Sequence, residues 1–193
     1  MKAATPRVPL IGLAGAARSG KDATASFLVD MGWQRKAFAD PVREFLYRMD
    51  LWLADGEGGS LPLNATVDER GWEAAKEEHF EVRGLLQRCG TEAGRGLLGP
   101  DIWVDTLFRS HRPGVPTVIS DVRFPNEARA IKERGGLVVQ VCRPKQILID
   151  GAAHISENAL ADWDFDAILL NVGTLDDLRC SAECLTRPLA VNL

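Results

Sequence analysis

The stretch that decides the fold is "IGLAGAARSGKDATASFLVDMG", residues 11–32. It places Gly15, Gly20 and Lys21 in the spacing G-x-x-x-x-G-K, where the backbone N–H groups of a glycine-rich loop converge on phosphate oxygens. The apolar run before it, residues 8–14, is broken only by Pro9 and Gly12 and suits a buried parallel strand. After it, residues 22–31 carry Ala23, Phe27 and Leu28 on one helical face, and Gly32 closes the helix. A Gly/Ala turn lacking those flanks would hold no ligand. With strand and helix both present, the stretch reads as a phosphate loop, and the helix N-terminus adds positive potential. Lys21 then reaches the outer phosphates, with Arg18 and Ser19 as further donors. The next position, normally Ser or Thr for magnesium, is Asp22. A carboxylate suits a hard cation, and Thr24 offers a hydroxyl two residues on, so both stand as magnesium candidates.

The rest of the chain bounds what that loop can serve. A length of 193 residues fits one domain, and 46% hydrophobic against 26% charged residues supports a sizeable core. The net charge of −4 argues against a sequence-independent nucleic-acid binder. Cys89, Cys142, Cys180 and Cys184 form no C-x-x-C pair, and His79, His111 and His154 are scattered, so reduced thiols and no structural zinc are expected. The apolar N-terminal run leads straight into the glycine loop, which favours a first strand over a signal peptide or a membrane span.

Strand and helix signals alternate downstream. A short second strand is predicted at 36–39, then a helix opened by Pro41, a surface loop at 54–68 and a polar helix at 69–80. Two helices follow, parted at Gly99-Pro100. "TVIS" at 117–120 and "LVVQVCR" at 137–143 read as buried strands, with a helix over 126–134 between them, and "DAILLN" reads as the last strand. A helix over 174–185, with Asp176 and Asp177 in its first turn, closes the chain. This alternation predicts an α/β domain with a parallel sheet of about five strands flanked by helices.

Ligands of such sheets bind beyond the carboxyl ends of the strands. Asp121 lies at one such end and can orient a magnesium-bound water or accept from a sugar hydroxyl. Arg123 follows it, suited to a phosphate, and Glu127 on the next helix binds an arginine or the nucleotide, while a buried Asp–Arg pair that caps the helix is the structural alternative. Arg143 ends the next strand. On a continuous α-helix Arg83, Gln87 and Thr91 fall at i, i+4 and i+8, which is one polar stripe. The arginine fork suits a monophosphate and the amide a base edge. Trp103, between Ile102 and Val104, either stacks on a base or fills the core.

These segments together resemble the bacteriophage deoxynucleoside monophosphate kinases. "GAARSGKDATASFL" is similar to that family's G-x-x-R-S-G-K-D-T-T-A loop, in which Asp after Lys is normal. "FADPVREFL", "VRGLLQRCGTE", "DIWVDTLF", "SDVRFPNEARAIKERGGLVVQVCRP", "HISENAL" and "DAILLNVGTLDDL" match family segments in the same order along nearly the whole chain. Two positions depart from the pattern: Ala23 stands where Thr is usual, and Ala17 replaces a basic residue before Arg18. The resemblance implies a P-loop NTPase fold of adenylate-kinase type over 1–193, with a phosphate loop at 15–24, a monophosphate-binding region at about 40–110 and a lid at about 144–163. It implies transfer of the γ-phosphoryl of ATP, with Mg2+, to a deoxynucleoside monophosphate.

In that scheme Gly15, Arg18, Ser19, Gly20, Lys21, Asp22, Ala23, Thr24 and Arg143 bind ATP. Lys21, Asp121, Arg123 and Arg143 act in transfer. Arg83, Gln87, Thr91, Trp103, Asp121, Arg123 and Glu127 bind the acceptor, with Trp103 stacking on its base. His154 and Glu157 are weaker lid candidates, and His154 receives no catalytic role. Nucleotides are then the partners, with no nucleic acid or membrane, in a host cytoplasm; a homodimer is open. Animal-type phosphomevalonate kinases share R-x-S-G-K-D, and dephospho-coenzyme A kinases share the architecture, so both stand as alternatives, as does a nucleotide sensor that binds ATP without transfer.

Overall fold

The computed structural model describes residues 9–54, 56, 58–144 and 159–190, with side chains to 187. The chain divides into two compact units: Met1–Ala37 with Ser110–Leu193, and Phe38–Arg109. The expected lid centre, including His154 and Glu157, lies outside the described residues.

The first unit is built on a five-stranded sheet. Its strands are β1 (Leu10–Ala14), β2 (Gln34–Lys36), β5 (Thr117–Val122), β6 (Leu137–Cys142) and β7 (Ala167–Leu170). They run parallel in the order β2-β5-β1-β6-β7. All five residues of β1 are buried, as a central parallel strand covered on both faces requires. Side chains alternate along it. Ile11 and Leu13 face Ala25 and Leu28 of α1 (Lys21–Asp30) and Leu178 of α7 (Leu175–Ala190) in one core cluster. Gly12 faces the other way, where α6 (Pro125–Glu133) packs so closely that a Cβ would stand 2.4 Å from the Ile131 side chain.

The second strand falls at 34–36, not 36–39. Ala37 and Phe38, the apolar pair that suggested the later span, are buried at 3% exposure after the chain has left the sheet. Among the described residues the strand pairs only with β5, and it is largely exposed, so it carries no apolar signature.

The second unit holds α2 (Asp40–Met49), with Pro41 in its first turn as expected, and an antiparallel hairpin of β3 (Trp52–Ala54) and β4 (Ser60–Pro62). Then come α3 (Leu63–Glu78), α4 (Phe80–Gln87), a π-helix (Arg88–Leu98) and α5 (Ile102–Arg109). Val42, Leu46, Leu53, Leu63, Val82, Cys89 and Trp103 form its core. The surface loop predicted at 54–68 is therefore the hairpin plus the start of α3. Gly56 and Gly58 take positive φ between the strands, while Leu53 and Leu63 are buried on either side of that glycine-rich turn. Within α3, Gly71 at φ 79°, ψ 165° breaks the helical path.

Candidate active site

The loop after β1 is shaped by three residues in left-handed or positive-φ backbone: Gly15 (φ 139°), Arg18 (φ 57°) and Gly20 (φ 111°). Gly15 has a second constraint, since a Cβ there would lie 2.3 Å from the Val141 carbonyl oxygen. Between them the Ser19 amide donates to the Ala16 carbonyl at 3.2 Å, tightening the turn. Gly20 caps α1, whose first-turn N–H groups lack intrahelical acceptors by helix geometry. Lys21 folds back across the loop and its Nζ donates to the carbonyls of Gly15 (2.7 Å) and Ala16 (2.6 Å). The ammonium thus sits inside the curve of the loop, where the outer phosphates of a nucleotide would also be drawn.

The other loop residues divide by exposure. Arg18 is exposed, and Ser19 is buried with its hydroxyl lacking a hydrogen-bond partner among the described residues. Ala23 packs its methyl against the core cluster, so what it offers a ligand is its backbone. Thr24 is fully buried and its hydroxyl donates to the Gly20 carbonyl at 3.0 Å. That corrects its candidacy for magnesium, because an i−4 bond inside the helix turns the oxygen away from solvent. Asp22 is the reverse: its carboxylate is 87% exposed, touching Arg35 at 3.3 Å. Among the described residues no three His, Cys, Asp or Glu side chains cluster as a metal site.

A cavity of about 190 Å³ opens beside the loop, at the carboxyl ends of β1, β5 and β6. Gly15, Ser19 and Lys21 line it from the loop, and Arg123 and Arg143 from the strand ends. Both arginines are exposed. Each follows directly on a buried strand, which is the feature that singles them out in the sequence. Phe165 and Gln140 also line the cavity and were missed. Gln140 belongs to the β6 run, where a polar side chain within an apolar strand was the available signal. Cys142 lines it too, and burial pushes its thiol pKa up.

Glu127 has a different job from ligand contact. It is 2% exposed, and its Oε2 accepts the backbone N–H groups of Arg123 (2.7 Å) and Phe124 (3.1 Å). Phe124 is the N-cap of α6, so the carboxylate fixes the strand-to-helix crossing that presents Arg123. Asp121 is half-buried, second to last in β5, and does not line the cavity; the alternation of the strand gives that face to Val122.

In the second unit Arg83, Gln87 and Thr91 are all exposed, and the Arg83 Nε donates to the Lys76 carbonyl at 3.2 Å. The expected α-helical stripe ends at Gln87, because Thr91 rides on the wider turns of the π-helix. Trp103 is 6% exposed: its indole N–H donates to the Gly90 carbonyl at 2.8 Å, and its ring fills the space above Gly94, where a Cβ would approach within 2.4 Å. The structure places this tryptophan in the core in place of the base-stacking position, its polar edge bound to backbone. Phe45, edge-on to it at 6.4 Å, is the exposed aromatic of that pair.

A glycine loop joining the central parallel strand to a helix, a lysine folded over it and two arginines on the adjoining strand ends define a P-loop phosphotransferase. The deoxynucleotide monophosphate kinase model matches residues 62–181, and the chain belongs to that family. A putative deoxynucleotide monophosphate kinase of Acanthamoeba polyphaga mimivirus is 32% identical, the match covering 87% of this chain and 91% of the relative. The deoxynucleoside-5'-monophosphate kinase of Escherichia phage T5 is 27% identical over 78% of this chain and 84% of its own. Among solved structures, dephospho-CoA kinase from Campylobacter jejuni aligns with a TM-score of 0.47 and 14% identity, covering 96% of this chain and 99% of that one. No helix among the described residues is long and apolar enough to cross a membrane.

Proposed function

We propose that the chain transfers the γ-phosphoryl group of ATP to a deoxynucleoside 5′-monophosphate, giving the diphosphate and ADP. The observation that carries the reading is the convergence of Lys21, Arg123 and Arg143 on one cavity beside the glycine loop. The names of the mimivirus and phage relatives support the acceptor class.

In this reading the loop amides and the first turn of α1 bind the donor phosphates, with the Ser19 hydroxyl as a further donor. Lys21 exchanges its loop carbonyls for β- and γ-phosphate oxygens. An ionised acceptor phosphate oxygen attacks the γ-phosphorus in line; the bond from that phosphorus to the β–γ bridging oxygen breaks, and ADP departs with the electron pair. Arg123 and Arg143 stabilise charge as it spreads over the transferring group, and no protein nucleophile is needed. Glu127 acts through the backbone, by holding the crossing that carries Arg123. Acceptor recognition is assigned to the region 40–110, through Arg83, Gln87 and Thr91, and Asp121 to the acceptor sugar. Magnesium, when bound, would neutralise the phosphate oxygens. The exposed Asp22 carboxylate fits it, since one carboxylate with phosphates and waters is a common magnesium shell, whereas Thr24 does not fit. The reaction belongs to a host cytoplasm, where both nucleotides are dissolved.

A coupled ADP-release assay across deoxynucleoside and nucleoside monophosphates tests this. Turnover is expected with at least one deoxynucleoside monophosphate. Turnover with phosphomevalonate or dephospho-coenzyme A alone would reject it, and ATP binding without ADP formation on any acceptor would indicate a sensor.

A further inference from the structure

Asn171 follows β7 directly and is far from the loop in sequence, yet it is tied to the loop. Its side-chain Nδ2 donates to the Ser19 carbonyl at 2.9 Å, across 152 residues. Its own backbone N–H donates to the Cys142 carbonyl at 2.7 Å, which continues the β6–β7 ladder one step and fixes where the side chain starts. The half-buried amide also occupies the space beside Gly20: a Cβ at that position would stand 2.6 Å from Nδ2. Downstream, Thr174 and Asp177 exchange hydrogen bonds (Thr174 N–H to Asp177 at 2.8 Å, Asp177 N–H to the Thr174 hydroxyl at 3.2 Å), so the segment after Asn171 is anchored at the start of α7.

The peptide between Ser19 and Gly20 is a rigid plane in which C=O and N–H point in opposite directions. A carbonyl held on Asn171 therefore turns the Gly20 N–H away from Asn171. Gly20 is also the residue from which α1 departs, at φ 111°; its carbonyl is held by the Thr24 backbone N–H and hydroxyl, so the Asn171 bond fixes the peptide on the other side of this residue.

We infer that Asn171 is a positioning residue for donor binding: it locks the Ser19–Gly20 peptide so that the Gly20 amide stays aimed at the nucleotide's phosphates. The inference rests on the phosphate-loop reading and not on the identity of the acceptor. Asn171 touches no reacting atom; it acts through the backbone of the loop.

The ranking of two variants tests it. Asn171→Ala removes the donor and leaves the Ser19 carbonyl to water. Asn171→Asp keeps the shape and sets a carboxylate oxygen against that carbonyl. Positioning predicts that Asp is the worse of the two, with affinity for a non-hydrolysable ATP analogue, measured by calorimetry, reduced about tenfold in Ala and further in Asp. Donor KM should rise in step while acceptor KM stays within about twofold. Leu169→Val on the same strand is the control for plain loss of packing, and should lower the melting temperature with donor affinity unchanged. The inference is overturned if Ala binds donor worse than Asp, if neither variant alters donor affinity, or if Leu169→Val weakens the donor equally. Because analogue binding needs no acceptor, a wild-type protein that binds ATP yet phosphorylates no deoxynucleotide would refute the proposed reaction while leaving this experiment decisive.

Discussion

The two units encode their chemistry in different ways. In the first, a short contiguous stretch carries strand, loop and helix, and the folded loop follows from local rules: glycine where φ is positive, lysine at the first helical position. In the second, the residues assigned to the acceptor are spread over α4 and a π-helix, with a hairpin and a helix kink elsewhere in the unit. A motif held within one turn of chain can be read from one sequence. A surface assembled from elements whose geometry departs from the regular periods cannot.

The sharpest way to break that contrast is at Lys21. Lys21→Ala should cut kcat/KM by about 10²–10³-fold, as expected for removing a preorganised cation from the transferring group, with the far-ultraviolet circular dichroism spectrum unchanged. Retained turnover would mean that the legible half of the molecule was misread. Next in size are Arg83→Ala and Gln87→Ala. Each is expected to raise acceptor KM about tenfold, the worth of one charge-assisted or paired hydrogen bond, with donor KM steady in initial-rate kinetics. A rise in donor KM instead would move those residues out of the acceptor role.

Trp103→Phe sharpens the comparison from the side of stability. Losing the bond to the Gly90 carbonyl should cost about 1–2 kcal/mol in urea unfolding. Acceptor KM should hold within about twofold if the ring is core. The smallest effect concerns pH. Hydrogen bonds from the Thr174 backbone and then its side chain hold the Asp177 carboxyl below the ordinary aspartate value. A depressed folded value means this capping contribution is fully present above the unfolded value and is lost as pH falls through the folded one. Carboxyl chemical shifts should therefore show Asp177 titrating below the ordinary aspartate range, and Thr174→Ala, which removes the hydroxyl but keeps the backbone N–H, should lessen that depression without abolishing it.

Much of the first unit was legible. Four of the five strands, the Gly15-to-Lys21 loop and the positions of Arg123 and Arg143 just past strand ends follow from apolar runs and glycine spacing, whereas the exposed, polar β2 was expected two residues late. Two of its assignments were not. Thr24 looked like a metal ligand because a hydroxyl in a first turn can face either way, and only the folded helix shows it bound to Gly20. Glu127 looked like a ligand contact because capping and binding use the same carboxylate. Asn171 was invisible, since a bond across 152 residues leaves no periodic trace. In the second unit, glycines at 56 and 58 suggested a loop where they form a hairpin turn, and helical spacing from Arg83 to Thr91 assumed an α-helix that changes type at Arg88. Trp103 carried an ambiguity that only burial resolves.

The contacts of Lys21 with the Gly15 and Ala16 carbonyls have a thermodynamic corollary. An arriving triphosphate competes for an ammonium that is already coordinated, so the affinity it gains is the difference between two sets of bonds. In the proposed reaction those carbonyls would reclaim the cation as ADP leaves and so favour its departure. Within that reaction, exchange of spent nucleotide should therefore be quick relative to a loop whose lysine pointed freely into water.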